Sequence, residues 1–343
     1  MTVDELARNA EAYAKTLAGR DYRRAGIEMF LALDTLQSAR PLPPISDGSK
    51  LADAAERVAA ELLKTRRGDP VRALRVALEL VATADFGADL GPPSQSGHLD
   101  PAATGAGRKP LRLAAGTSGA AKLLADIRAG GFVRAVNWHN TLTEDSGKLE
   151  RQLSHLAERF VSVGVPELTR LINGEPWPHH KPPVMLVFYE GLRNQVDAAL
   201  PLLSTLGLTG IFCLIPGFID EDVSSQIAFA RRNYIDVRPS EYPDGRVALS
   251  WDEARELGAR GHSFVCHTMT HADPDAAHFD AFAESVGAVG RMADELGATP
   301  DVFVWRRGLE VGDDPAADRL VYQAGPHLLL SNFRIQHLPD DLK

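Results

Sequence analysis

Apolar residues follow two different patterns along this chain of 343 residues. In residues 6–36 and 51–81, apolar side chains recur at helical spacing among Ala, Leu, Arg and Glu, which predicts amphipathic helices. Residues 39–48, ARPLPPISDG, separate the two segments because proline cannot continue a helix. We therefore predict a helical N-terminal region over residues 1–85.

A connecting segment is predicted over residues 86–130. Residues 86–110 are dense in Gly, Pro and Ser, a composition typical of a flexible connection or a partly ordered arm. One further helix is predicted at the end of this segment, over residues 118–129.

From residue 131 to the end of the chain, short apolar runs alternate with helical segments. The predicted strands are 132–138, 184–188, 210–215, 262–267, 301–305 and 327–331, and helices are predicted between them. Ser250 and Glu253 form the S-x-x-E pattern of a capping box. Strands that alternate with helices predict parallel βα units, either closed into a barrel or left as an open sheet. The length of the region favours a slightly reduced barrel.

Composition and charge narrow the class of protein. The net charge of −9 argues against a nucleic-acid partner, because phosphate binding needs a basic surface. No stretch approaches 18 consecutive apolar residues, so we expect no membrane span. The start of the chain lacks a basic segment followed by an apolar one, and two cysteines cannot build a disulfide framework. A soluble cytoplasmic protein is the expectation.

Two short segments carry residues suited to metal chemistry. His267 and His271 are four residues apart and follow a predicted strand, and Glu190 stands at the end of another. In a parallel βα architecture the two strand ends meet at the same rim. The alternative without a functional role is a pair of surface histidines. The functional alternative is a divalent metal held by one carboxylate and two imidazoles, with positions left for water and substrate. Such a site would hydrolyse an amide or an ester.

The segment from 133 to 338 resembles the polysaccharide deacetylases of the NodB-homology type, carbohydrate esterase family 4. VFYEG (187–191) stands where the family has T-F-D-D-G, and HTMTH (267–271) matches its H-[ST]-x-x-H. NWHNT (137–141) is similar to the family's early Y-H. The resemblance implies an α/β fold, a NodB-like distorted (β/α) barrel, here with an N-terminal α-helical extension.

The resemblance also implies a set of site residues. Glu190, His267 and His271 would be the metal ligands, with zinc the best match to these donors and Co, Ni or Fe also accepted. The general base of the family is an aspartate, and Tyr189 occupies its position. A phenol with a pKa near 10 is a poor base at neutral pH, so the family's proton transfer is altered here.

The third motif of the family corresponds to VWRRG (304–308). Arg307 stands at the position whose backbone N–H binds the oxyanion, and Trp305, Arg306 and Arg307 are predicted to contact substrate. The two arginines would recognise a carboxylate or phosphate or stabilise a tyrosinate; solvated surface arginines are the alternative. The family's late L-x-H, the source of the general acid, has no convincing match. His139 is the candidate pocket histidine, with a structural role as the alternative.

Two classes of function follow from this reading. The first is a divergent metal-dependent hydrolase that acts on the C–N bond of an N-acylated small soluble substrate. The second is a catalytically silent deacetylase-like protein that binds a ligand or a protein partner through the same cleft. Three roles stay open for the N-terminal helices, namely packing on the barrel, homo-oligomerisation and binding of a partner.

Overall fold

A computed structural model describes residues 134–338 except 174, 182, 275, 307, 308, 310, 313 and 331–334, together with 53, 54, 56, 57, 59 and 60. The chain divides into two compact units, residues 1–132 and 133–343. The six described residues of the first unit are helical. The rest of the predicted helical region, the 86–130 connection and the predicted oligomer contact lie outside the described residues.

The second unit is built on one sheet, with eight strands in the part that the structure describes. Its order is β1-β3-β4-β5-β6-β7-β8, with β2 beside β3. All pairings are parallel except β7 with β8. The strands are β1 (Arg134–Trp138), β2 (Val161–Ser162), β3 (Pro183–Phe188), β4 (Ile211–Leu214), β5 (Ser263–Cys266), β6 (Val302–Phe303), β7 (Leu328–Leu330) and β8 (Ile335–His337).

Helices connect the successive strands. They are α1 (Ser146–Arg159), α2 (Val165–Ile172), α3 (Leu200–Leu206), α4 (Pro216–Ile219), α5 (Val223–Arg232), α6 (Trp251–Ala259), α7 (Ala288–Leu296) and α8 (Pro315–Ala324). Single π-helical turns, Gln195–Ala199 and Ala283–Gly287, precede α3 and α7. Two 3-10 turns lie at Thr143–Asp145 and Pro239–Glu241. Within the described residues, no helix is both long and apolar enough to cross a membrane.

The start of α6 confirms the predicted capping box. The Ser250 hydroxyl accepts a hydrogen bond from the Glu253 backbone N–H, and the Glu253 carboxylate accepts one from the Ser250 N–H. The two side chains thereby satisfy N–H groups that a helix start leaves without partners. α8 begins in a similar way, since the Asp314 carboxylate accepts from the first N–H groups of the helix.

The sheet curls around an apolar interior. Ala135 of β1 and Leu328 of β7 belong to the same buried cluster as Met185 and Val187, although β1 and β7 lie far apart in the strand order. On the other face of β3, the Phe188 ring stacks between two aromatic rings, those of Trp138 and Phe212. A curled, mainly parallel sheet with helices between its strands confirms the predicted α/β class and the NodB-like distorted barrel.

Candidate active site

The two predicted ligand segments meet at the carboxyl edge of the sheet. Glu190 lies just past the end of β3, and His267 directly follows β5. The β-ladder continues one residue past each strand, since the Tyr189 N–H donates to the Trp138 carbonyl and the His267 N–H to the Leu214 carbonyl. Parallel strands end at a common edge, so the side chains are brought together from segments far apart in sequence.

The two histidines of HTMTH are adjacent and oriented by the backbone. The ring centroids of His267 and His271 are 4.8 Å apart. His267 Nδ1 lies 3.0 Å from the Val304 carbonyl oxygen, and His271 Nδ1 lies 2.8 Å from that of Asn233. A carbonyl only accepts, so each Nδ1 carries the proton and each Nε2 keeps its lone pair. A metal-binding histidine is typically oriented by such a bond from its other ring nitrogen.

The protein holds both imidazoles neutral. The pKa of His267 is lowered to about 4, chiefly by burial and also by the nearby His139 and Arg306, against the opposing effects of the Val304 carbonyl and Glu190. Burial also lowers the pKa of His271 well below its usual value, as do His267 and Arg306. At neutral pH both Nε2 lone pairs are therefore available to a ligand.

The loop that carries the histidines has a fixed, unusual backbone. Thr268 and His271 both have positive φ angles, 62° and 61°, which is uncommon for residues other than glycine. The His271 N–H donates to the Thr268 hydroxyl at 3.0 Å. At the α4 side, the Gly217 N–H donates to the Met269 carbonyl at 2.9 Å, and a Cβ at Gly217 would lie only 2.6 Å from that oxygen. This close approach requires glycine.

Glu284 is a buried carboxylate that secures the same loop. Its side chain accepts hydrogen bonds from the Thr270 N–H, at 2.9 Å, and from the Thr270 hydroxyl. Its backbone carbonyl accepts from the Met269 N–H at 3.1 Å. Sequence reasoning missed this residue, because nothing in its local pattern distinguishes it from the other acidic residues of a predicted helix.

Glu190 is the buried carboxylate at the same edge of the sheet as the two histidines. It is 3% exposed and has a φ of 81°. Its Oε1 lies 3.1 Å from Nδ1 of His139, and its Oε2 is buried with no hydrogen-bond partner in the described structure. A buried carboxylate oxygen without a partner carries a desolvation cost, which a bound cation would offset.

Tyr189, at the position of the family's base, lies in the apolar interior. Its hydroxyl is buried without a hydrogen-bond partner among the described residues. Burial raises the pKa of Tyr189 well above 10, and Cys213 and Glu190 raise it further. Its ring stacks on His139 and meets the edge of His267. These surroundings oppose proton abstraction by the phenol and favour a packing role.

We predict that Tyr189→Phe stabilises the protein by about 1 kcal/mol, because it removes a buried hydroxyl without a partner. Turnover should stay within a few-fold of wild type. Urea denaturation and a turnover assay measure the two effects. Tyr242→Phe is the matched control, since the Tyr242 hydroxyl donates to Asp197 at 2.9 Å and its loss should destabilise. A fall in turnover of about 10²-fold in Tyr189→Phe would instead assign its hydroxyl to proton transfer.

Arg306 is enclosed at the edge of the site. It is 8% exposed, so the alternative of a solvated surface side chain is wrong for this residue. Its Nη1 lies 3.7 Å from Asp273 Oδ2, and its guanidinium carbon lies 4.7 Å from the centre of the Tyr234 ring. Arg306 therefore places a cation beside the imidazoles, between a carboxylate and an aromatic ring.

The predictions for the other two residues of the third motif, Trp305 and Arg307, stand differently. Trp305 is 1% exposed and packs against Phe303 and Phe279, and this burial gives no support to its predicted contact with substrate. Arg307 lies outside the described residues.

The donor atoms are of the types that bind a divalent metal, but they do not surround a common point. Two neutral imidazoles with available Nε2 atoms and a carboxylate oxygen without a partner are the donors that zinc prefers. Within the described part of the chain, however, no three His, Cys, Asp or Glu side chains are grouped closely enough to hold a metal ion. Metal binding at this edge therefore enters below as a proposal.

The fold and the residues at the carboxyl edge define an α/β domain of the NodB-like type. The family model for polysaccharide deacetylases matches residues 178–315, a span that includes all three motif segments from Val187 to Arg306. Residues 178–315 of this chain therefore match the polysaccharide deacetylase family, which confirms the resemblance seen in the motifs. A search of the curated proteins found no sequence match.

Similar solved structures include several bacterial deacetylases. The Streptococcus pyogenes deacetylase PplD is 16% identical, with a TM-score of 0.44 over 56% of this chain and 81% of that one. IcaB from Ammonifex degensii is 15% identical, with a TM-score of 0.45 over 61% and 87% of the two chains. The BpsB deacetylase domain from Bordetella bronchiseptica is 15% identical, with a TM-score of 0.42 over 58% and 88%.

Proposed function

We propose that this protein is a divergent metal-dependent hydrolase that cleaves the C–N bond of an N-acyl group. The observation that carries the proposal is the pairing of His267 and His271, each fixed through Nδ1, with the buried Glu190 carboxylate at the same edge of the sheet. These three residues would hold the metal, with zinc the best match and Co, Ni or Fe compatible. A metal bound there would acidify a water and polarise the acyl carbonyl.

His139 is the proposed proton-transfer residue. Its side chain is 49% exposed, in contrast to the buried His267 and His271, and its Nδ1 contacts Glu190 Oε1. An imidazole with access to solvent can take a proton from the attacking water and return it to the departing amine. The hydrogen bond to Glu190 orients the ring for this role. The backbone N–H of Arg307 is the proposed oxyanion donor, by its place in the third motif.

The proposed substrate is a small N-acylated molecule, an acetylated sugar or a related amine, with an anionic group that faces Arg306. A guanidinium recognises a carboxylate or phosphate through paired hydrogen bonds.

Acetate release from a graded panel tests this proposal. The panel contains N-acetylglucosamine, N-acetylmuramic acid as its carboxylate-bearing counterpart, tetra-N-acetylchitotetraose and polymeric chitin. We expect release from the small substrates, with the anionic one preferred, and we expect chelation to abolish it and zinc to restore it. Equal rates on chitin with no preference for small molecules would contradict the substrate class.

The second candidate function is a silent deacetylase-like protein that binds a ligand in the same cleft. Two observations favour it: Tyr189 replaces the family's base, and no group of three potential metal ligands is assembled among the described residues. Zinc bound at full stoichiometry without acetate release from any substrate would establish this function over the hydrolase.

A further inference from the structure

Tyr234 is an exposed aromatic residue in a backbone conformation that disfavours it. Its φ is 58°, and 48% of the residue is exposed. It follows α5, where the Ile235 N–H donates to the Ala230 carbonyl at 2.9 Å and the Asn233 N–H to Phe229. This is the hydrogen-bond pattern of a helix end whose next residue is left-handed, a position that glycine usually occupies.

The choice of tyrosine at this position opposes stability. A bulky residue in the left-handed region is strained, and strain of this kind is concentrated at functional sites. The ring also stays half exposed, so burial does not offset the strain. The neighbouring Ile235 provides the apolar anchor of the turn, since it is 4% exposed within a hydrophobic cluster. The apolar anchor of the turn is therefore Ile235 and not the half-exposed Tyr234 ring.

The position of Tyr234 connects it to the active site through two neighbours. The preceding residue, Asn233, supplies the carbonyl that fixes His271. The guanidinium of Arg306 lies 4.7 Å from the ring centre, and its charge acts on both His267 and His271. The ring therefore stands at the rim of the site, supported by a cation.

We propose that Tyr234 is the surface on which the pyranose ring of the substrate stacks, beside the reaction centre. The C–H bonds on a face of a pyranose carry partial positive charge, and they meet the negative face of an aromatic ring favourably. This inference rests on the proposed function, since it names a sugar as the substrate of the same site. It assigns specificity to a residue outside all three family motifs.

A glycine variant distinguishes the contribution of the Tyr234 ring to sugar binding from the effect of the strained backbone on stability. Tyr234→Gly removes the stacking surface and also relieves the left-handed strain, so it should unfold at the same or a higher urea concentration than wild type. Tyr234→Phe keeps the ring and is the matched control. The ligand is tri-N-acetylchitotriose, titrated into metal-free protein and followed by saturation-transfer NMR, so that binding is measured without turnover.

We expect Tyr234→Gly to weaken binding of this sugar about tenfold or more, an effect of the size that aromatic stacking contributes. Tyr234→Phe should bind within about threefold of wild type. Equal affinity of Tyr234→Gly and wild type would overturn the inference, and so would a wild-type protein that fails to bind the sugar at millimolar concentration. If the wild type binds the sugar but releases no acetate under any metal condition, the proposed hydrolase function is refuted while the stacking role of Tyr234 stands.

Discussion

We expect the variant His271→Ala to bind no metal and to turn over at least about 10³-fold more slowly than wild type. A bound metal contributes several kcal/mol of charge stabilisation in the transition state, and each 1.36 kcal/mol corresponds to a tenfold change in rate. His271 is one of two imidazoles whose Nε2 lone pair the protein keeps available through a hydrogen bond at Nδ1. Its removal would leave at most one imidazole and one carboxylate, too few donors for tight zinc binding.

Metal content by mass spectrometry and acetate release, measured on the same preparations, check this prediction. His180→Ala is the control, because His180 is exposed in a loop that precedes β3 rather than following a strand end. It should match wild type in both assays. A His271→Ala protein with unchanged metal content and activity would exclude this residue as a ligand.

The second large effect is expected at Glu284. Its carboxylate accepts two hydrogen bonds from Thr270, inside the loop that holds both histidines. Glu284→Ala leaves a partly buried N–H and a partly buried hydroxyl without their acceptor, which should cost about 2–4 kcal/mol of unfolding free energy. Because the loop orients the ligands, zinc affinity should fall about 10- to 100-fold.

Urea denaturation and a competitive zinc titration measure these two quantities. Glu256→Ala is the matched control, since Glu256 pairs with Arg260 at an exposed position of α6, where ion pairs contribute little. It should change stability by less than about 0.5 kcal/mol. If zinc affinity stays at the wild-type value in Glu284→Ala, the loop does not depend on this carboxylate for ligand orientation.

Strong local patterns made most of the fold predictable. The apolar run of β3 is buried along its whole length, and such a run between polar segments predicts a central strand. The capping box at Ser250 marked the start of α6 correctly. β2 was not predicted, because two residues give no periodicity. β8 and α5 were also missed, since the strand is three residues long and the ten-residue helix has as many polar as apolar residues.

The candidate site was predictable where a motif coincides with a strand end. Glu190 and His267 satisfy that condition, and the structure brings their segments to one edge. The groups that orient the site were not predictable, because they reach it from distant parts of the chain. The carbonyl that binds His267 lies 37 residues away, and the one that binds His271 lies 38 residues away. Arg306 is a charged residue that follows the apolar run 302–305, and its burial arises only from tertiary packing.

The central claim is that Glu190, His267 and His271 hold one divalent metal at the carboxyl edge of the sheet. Anomalous diffraction from crystals grown with zinc, recorded on both sides of the zinc absorption edge, tests it most directly. The account predicts a single strong peak about 2 Å from the Nε2 atoms of both histidines and from Oε2 of Glu190. Saturating zinc with no peak among these three side chains would contradict it.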